Sequence, residues 1–325
     1  MTQVGTAPPT AAGRAPAARP AVRRRRWMPG RKHAELALFV GPALVVYSMF
    51  VLLPIGLAFW YAMYRWNGIG PLTDFVGLDN YRRALQDPAF LGSIRHNAII
   101  IALSLTLQLP LALGLAVLLN ARLRGRALLR TVVFAPFVLS EVITGVIWLL
   151  ILQPDGLADR ALQAVGLGGL VQLWLADRSI VLYTMFVVIT WKYIGFAIIL
   201  FLAGLQGIPR ELADAAEVDG ASKPRVFRHI TVPLLGPTIR VWAFLSIIGS
   251  LQLFDLIWIM TLGGPANASS TMATYMVDRG FRRYQFGYGS AVAVILFLIS
   301  FAVSLAYQRL VLRRDTDGAL TRMAG

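Results

Sequence analysis

The sequence predicts an all-α polytopic membrane protein with six transmembrane helices and a pair of short polar helices between the fourth and the fifth. Three observations carry that prediction. Of 325 residues, 57% are hydrophobic and only 14% are charged, which is too apolar for a soluble domain of this length. Six apolar runs, at about 36 to 62, 97 to 119, 130 to 152, 180 to 204, 238 to 261 and 288 to 311, each reach the roughly 20 residues that cross a hydrocarbon core as a helix. None of them alternates as a barrel strand would, and helices satisfy their own backbone groups in lipid.

The elements follow in order. Residues 1–34 are rich in Ala, Pro and Arg and lack apolar periodicity, so they read as a disordered basic tail. That tail ends in Arg23 to Arg26, Arg31 and Lys32. The run from Leu36 to Tyr64 is too long for a signal-peptide core and no small-residue cleavage pattern follows it, so it is expected to stay as an anchor. The membrane domain spans 35–312 and a second tail occupies 313–325. Arginines concentrate in alternate connections: Arg122, Arg124, Arg126 and Arg130 in the second, and Arg210, Lys223, Arg225 and Arg228 in the fourth. With Arg309, Arg313 and Arg314, they place both termini and the even connections in the cytoplasm. Trp60, Trp66, Trp148, Trp174 and Tyr307 lie near predicted span ends, where interfacial aromatics belong.

Composition also excludes chemistry. Cysteine is absent and the three histidines, His33, His96 and His229, are far apart, so no metal or other cofactor is expected. The net charge of +15 is spread between apolar runs rather than gathered in a basic domain, which argues for a membrane and against nucleic acid. The only lysines are Lys32, Lys192 and Lys223, and none lies in a G-x-x-x-x-G-K-[ST] string, so the chain holds no P-loop. An intramembrane enzyme would need a clustered nucleophile, base or metal site, and no such pattern occurs.

Residues 208–234 break the apolar pattern. Pro209 suits a first helical turn and Gly220 the position after a helix; Ser222 can cap a second helix with Pro224 in its first turn, and Pro233 ends it. A 100° step sets Leu212, Ala215 and Ala216 on one face, with Glu211, Asp214 and Glu217 on another. The second helix is basic, with Arg225, Arg228 and His229. Two readings fit: a docking surface for a cytoplasmic partner, or an amphipathic hairpin lying on the membrane.

The segment resembles the cytoplasmic loop of the inner-membrane permeases of ABC importers, which carries E-A-A, three residues and a glycine, followed by I-x-L-P. Here it reads Asp214-Ala215-Ala216, Gly220, then Ile230-Thr231-Val232-Pro233. Asp214 stands where Glu is usual and keeps the charge at shorter reach; Pro224 stands where a large aromatic is common. The chain resembles the carbohydrate-type subfamily, typified by the maltose and glycerol-3-phosphate permeases, and within it the first of two non-identical permeases. This likeness rests on Phe75 to Tyr81, Leu202 to Pro209, Phe254-Asp255, Gly263-Gly264-Pro265 and Phe286 to Ala291. It implies a bacterial inner-membrane subunit that imports a sugar or sugar-like solute by alternating access. The implied partners are a second permease, a cytoplasmic ATPase dimer, an extracytoplasmic solute-binding protein and membrane lipid. It assigns ATPase coupling to Glu211, Asp214, Ala215, Ala216, Asp219, Gly220, Ala221, Ile230 and Pro233.

Glu141, Gln108, Lys192, Gln252 and Asp255 fall within or at the edges of apolar runs, where an unpaired charge costs at least about 2.5 to 3.5 kcal/mol. They either line a solute path, with Trp148 or Trp258 stacking on a sugar ring, or act as interhelical contacts. Gln252 and Asp255 are read as one turn apart on one face of the fifth span, which makes them the preferred pair. Lys192 is expected to snorkel outward. The rival function is an ion-coupled secondary transporter, but neither internal repeats nor paired broken helices are evident in the sequence.

Overall fold

The structure, a computed structural model, describes residues 29–121 and 125–312. The chain divides into two units, Met1–Leu53 and Pro54–Gly325. In the first, helix starts at Pro29, inside the stretch expected to be tail; proline is well placed at a first helical position, and helix-forming Lys, Ala, Glu and Leu follow. The apolar helix Leu38–Tyr61 (α1, 24 residues) contains the end of this unit and the start of the next. The remainder of tail 1–34 and all of 313–325 lie outside the described residues.

The second unit holds the rest. Asp79–Gln86 (α2) precedes Pro88–Asn120 (α3, 33 residues), and Asp87 caps α3 by accepting the Ala89 amide at 2.8 Å. At 1.5 Å per residue α3 is about 50 Å long, so it outreaches a 30 Å core. Val181–Gln206 (α7, 26 residues) and Phe286–Leu312 (α13, 27 residues) are also of spanning length. Thus four of the predicted spans are single helices.

The other two are not. The run expected as the third span is Arg126–Val138 (α4) and Glu141–Leu152 (α5), bent by 101°. Pro136 lies in the last turn of α4, and Ser140 starts α5 by accepting the Ile143 amide at 3.2 Å, so capping chemistry overrides the apolar run. Likewise the expected fifth span is Gly236–Leu251 (α10) and Asp255–Thr261 (α11), separated at Gln252 to Phe254. Gln252 therefore lies in the break and Asp255 begins the next helix, so the two do not share a helix face. Between these elements lie Leu157–Ala164 (α6), Arg210–Val218 (α8), Lys223–Leu234 (α9) and, after α11, Met272–Val277 (α12). The only pairing of extended backbone among the described residues is the bridge Tyr64 to Phe75.

Helix α7 is the hub. Its Ala197, Ile198, Phe201 and Leu202 pack with Ala112, Ala116 and Leu119 of α3 and Trp242 of α10, and its Leu182, Met185 and Ile189 pack with Leu256, Ile257 and Met260 of α11. A third cluster joins Phe90 of α3, Leu251, Met272 and Tyr275 to Tyr288 and Val292 of α13. Where lipid is the solvent, such contacts stabilise by close packing more than by water exclusion. Small residues permit it: Ala112, Ala116 and Ala197 are fully buried at the α3–α7 crossing.

Candidate functional site

Helices α8 and α9 form the polar pair expected from the sequence. Gly220 has φ +81°, the left-handed conformation that only glycine adopts cheaply. The Gly220 amide donates to Glu217 O at 3.0 Å and the Ala221 amide to Ala216 O at 2.9 Å, so α8 ends in a Schellman motif. Ser222 has the extended backbone of a cap, but its hydroxyl accepts no helix amide, and Arg225 N–H bonds to the Ser222 carbonyl instead. Pro224 occupies the first turn of α9; Pro233 does not stop it, and the chain turns by 65° at Leu235, which is fully buried, into α10.

No residue of α8 is buried. Glu211, Asp214, Ala215 and Asp219 are exposed, and Val218 is 88% exposed; Ala213 and Ala216 are half-buried. The inward face accordingly runs through Ala213 and Ala216, rather than through Leu212, Ala215 and Ala216 together. Among the described residues no carboxylate of α8 has a cationic partner. Ile230 is half-buried and Pro233 exposed, while Ala221, half-buried, lines a shallow pocket with Arg225, Val226, His229 and Ile230.

The polar membrane residues fall into a different arrangement from the expected one. Lys192 does not snorkel: it is 2% exposed, donates to Phe137 O at 3.4 Å and to Leu139 O, and lies 3.8 Å from Glu141. It thereby caps the carbonyl end of α4 at the bend, where the partial negative charge of a helix terminus favours a cation. Glu141, in the first turn of α5, accepts the Tyr193 hydroxyl at 2.7 Å. Tyr193 also lines a cavity of about 260 Å³ with Ser104, Gln108, Ser246, Ser250 and the rings of Phe137, Phe196 and Trp242. Asp255 is within electrostatic reach of Tyr193, but both it and Gln252 are exposed and neither lines the cavity.

Trp148 and Trp258 are also elsewhere. Trp148 packs edge-on against Trp191 at 5.5 Å between ring centroids and lines an apolar cavity of about 540 Å³ beside α6. Trp258 stacks on Phe254 at 5.3 Å with the Arg282 guanidinium 5.8 Å from its ring. None of the five residues expected along the path lines the 260 Å³ cavity, and Glu141 reaches it through its hydrogen bond with Tyr193. Sequence reasoning missed Ser104, Tyr193, Ser246 and Ser250, and a signal was present. Ser104 and Gln108, and Ser246 and Ser250, are polar pairs four residues apart in apolar helix, hence on one face.

At the end of the bundle that carries α2 and α12, the motifs Phe75 to Tyr81 and Phe286 to Ala291 meet. Asn80, 1% exposed, donates to Ala62 O and Tyr64 O, both at 2.9 Å. The Gly287 amide donates to Trp66 O at 2.9 Å, and a Cβ on Gly287 would lie 2.0 Å from Tyr64 O, so only glycine fits. Nearby, Asp87 accepts the Tyr275 hydroxyl at 2.6 Å and pairs with Arg279 at 3.7 Å. Burial pushes the Asp87 carboxyl up, but the Tyr275 hydroxyl, the Ala89 amide, the Arg279 guanidinium and the Phe90 amide outweigh it and hold it below the usual carboxylate range. Burial and the Asp87 and Tyr288 contacts raise the Tyr275 phenol.

Comparison with known proteins agrees with this architecture. Residues 108–316 match the family described as binding-protein-dependent transport system inner membrane component. The chain is 34% identical over 274 residues to a probable ABC transporter permease protein of Pyrococcus horikoshii, covering 84% of this chain and 94% of that one. It is 32% identical over 308 residues to the diacetylchitobiose uptake system permease protein of Streptomyces coelicolor, covering 91% and 86%. A bacterial alginate ABC transporter, solved in complex with an alginate pentasaccharide-bound periplasmic protein, shares the fold. It has a TM-score of 0.76 and 22% identity, over 89% of this chain and 98% of that one. On the family match and these identities, the chain belongs to the inner-membrane permease components of binding-protein-dependent ABC transport systems.

Proposed function

We propose that this chain is one of two permease halves of a sugar importer, and that α8 and α9 couple it to a separate ATPase dimer. The observation that carries the proposal is α8: a charged helix with no buried residue, hinged at Gly220 to α9, which reaches α10 through Leu235 alone. Motion imposed on α8 and α9 passes directly to α10, whose Trp242, Ser246 and Ser250 line the cavity. Glu211, Asp214, Ala215, Ala216, Asp219, Gly220, Ala221, Ile230 and Pro233 make up the docking surface. Both termini and this surface lie on the cytoplasmic side, as the arginine bias favours.

The solute is a saccharide delivered by an extracytoplasmic binding protein. Relatives named for diacetylchitobiose and alginate transport support that class. So does the cavity, whose hydroxyl and amide groups suit sugar hydroxyls and whose Trp242 and Phe196 offer apolar ring faces. ATP-driven closure of the partner opens the bundle outward, and hydrolysis resets it; this chain, without a P-loop, supplies only the path.

Because the chain has no cysteine, single-cysteine variants provide a clean background for testing this. Cysteines at Leu212, Asp214 and Val218 should crosslink to a nucleotide-binding subunit, and the purified complex should hydrolyse ATP faster with loaded receptor. Solute uptake by this chain alone in liposomes, or labelling of those cysteines from the outer side, would refute the proposal.

A further inference from the structure

The outer-loop motifs Phe75 to Tyr81 and Phe286 to Ala291 have no part in the coupling just proposed, yet they converge on one polar pocket of about 680 Å³. Its lining includes Arg65, Trp66, Asn80, Arg83, Tyr284 and Tyr288, and no carboxylate. The frame is rigid. Asn80 ties down the carbonyls that end the first span, Gly287 closes on Trp66, and Tyr61, Trp66 and Phe286 pack with ring centroids 4.9 to 5.8 Å apart.

The charge inside this frame is incompletely answered. Arg83 is exposed and lies 5.0 Å over the Tyr288 ring, with no carboxylate partner among the described residues. Arg65 is held at 3.5 Å by Asp74 but keeps a 65% exposed side chain. Two guanidinium forks beside exposed Tyr284 and Ile69 match the composition of a protein-binding hot spot, in which Arg, Trp and Tyr predominate. A guanidinium fork selects carboxylate by geometry as well as charge.

We propose that this pocket receives an acidic side chain of the solute-binding protein, with Arg83 as its principal partner and Arg65 as the second. The inference rests on the importer reading and orientation above, which put this end of the bundle on the outer side. A protein occupant is favoured over a small anion because the family depends on a binding protein, and because the pocket is wide enough for a side chain with its flanking residues.

The test uses the complete transporter in nanodiscs, with the loaded solute-binding protein recovered alongside it. The receptor concentration that half-stimulates ATP hydrolysis is measured. Arg83→Glu should raise it about tenfold or more, the scale of losing one close interfacial charge pair, and Arg65→Glu should raise it less. Arg83→Lys should have a smaller effect than Arg83→Glu. Arg178→Glu, which alters an exposed arginine outside the pocket, should leave it in place. Rising salt should weaken the wild-type response more than that of Arg83→Glu.

The docking role is overturned if Arg83→Glu and Arg65→Glu both keep the wild-type half-stimulating concentration, or if Arg178→Glu raises it equally. It is also overturned if Arg83→Glu slows uptake only at saturating receptor, which would make the pocket a solute contact. Wild-type complex that no receptor stimulates would instead sink the importer reading itself.

Discussion

Replacing Lys192 by Met tests whether the bend in the third apolar run is held by a buried ammonium. Met keeps most of the stem volume and removes the charge, so packing is nearly preserved while the carbonyls of Phe137 and Leu139 lose their donor. Hydrogen bonds from a charged donor contribute about 1.5 to 3 kcal/mol each. Breaking a buried ion pair costs about 3 to 5 kcal/mol, but Glu141 is 27% exposed at its side chain and 3.8 Å from Nζ, so screening reduces that part. These contributions overlap, and removing Lys192 also removes the cost of burying it. A net loss of about 3 kcal/mol follows, toward the lower end of the buried-pair range. At about 2 to 4 °C per kcal/mol for domains of 150 to 250 residues, the melting midpoint of the purified transporter should fall by about 6 to 12 °C. Glu141→Gln keeps a partner for the Tyr193 hydroxyl and should cost less, since Lys192 retains its carbonyls. The double variant should not fall further than Lys192→Met alone, because the unpaired carboxylate is gone. A Lys192→Met midpoint within about 1 °C of wild type would refute the capping argument. A Glu141→Gln loss as large as that of Lys192→Met would shift the weight to the ion pair.

Gly220→Pro should abolish ATP-dependent uptake while leaving membrane insertion intact, because the φ of +81° and the Gly220 amide bond to Glu217 O are both closed to proline; uptake at the wild-type rate would disprove the hinge. Gly220→Ala meets no atom within 4 Å and should cost only about 1 to 2 kcal/mol of backbone strain, read as a small drop in melting temperature with uptake largely kept. Asn80→Ala removes both donors to Ala62 O and Tyr64 O and should destabilise by about 1 to 3 kcal/mol, measured by thermal melting. Asp87 has a lowered pKa in the folded protein, so its stabilisation is present above the unfolded value of about 3.9 and disappears as pH falls through the folded value. The melting difference between wild type and Asp87→Asn should therefore shrink as pH drops below about 4; a difference that grows would reverse the sign of the argument. Ser246→Trp, which fills the cavity, should block uptake while crosslinking of α8 to the ATPase persists.

How far this fold could be read from residues depends on what each signal measures. Hydropathy over about 20 residues asks only whether a helix can lie in hydrocarbon, and α1, α3, α7 and α13 answer it correctly. It does not register a change of direction, so the bend of 101° after α4 and the gap at Gln252 to Phe254 passed as continuous spans. The third run nevertheless carried its own punctuation: Pro136, then Ser140 followed at once by Glu141, the order in which a helix ends and another is capped. Apolar neighbours masked those polar residues when the run was averaged. The same averaging hid the cavity. Ser104, Gln108, Ser246 and Ser250 each look like isolated polar residues tolerated in a membrane helix, and only their four-residue spacing shows two hydroxyl-bearing faces. The start of α8, its end at Gly220 and the first turn of α9 were legible because Pro209, Gly220 and Pro224 act on the backbone locally, whereas the Ser222 cap, the stop at Pro233 and the inward face were not. Asn80 was not, since its buried carbonyl partners lie 16 and 18 residues earlier, at the end of another element. Lys192 combines both lessons. A lone lysine near a tryptophan reads as a snorkelling side chain unless the bend that exposes the carbonyls of Phe137 and Leu139 is already known, so its role could be seen only once the third run had been broken in two.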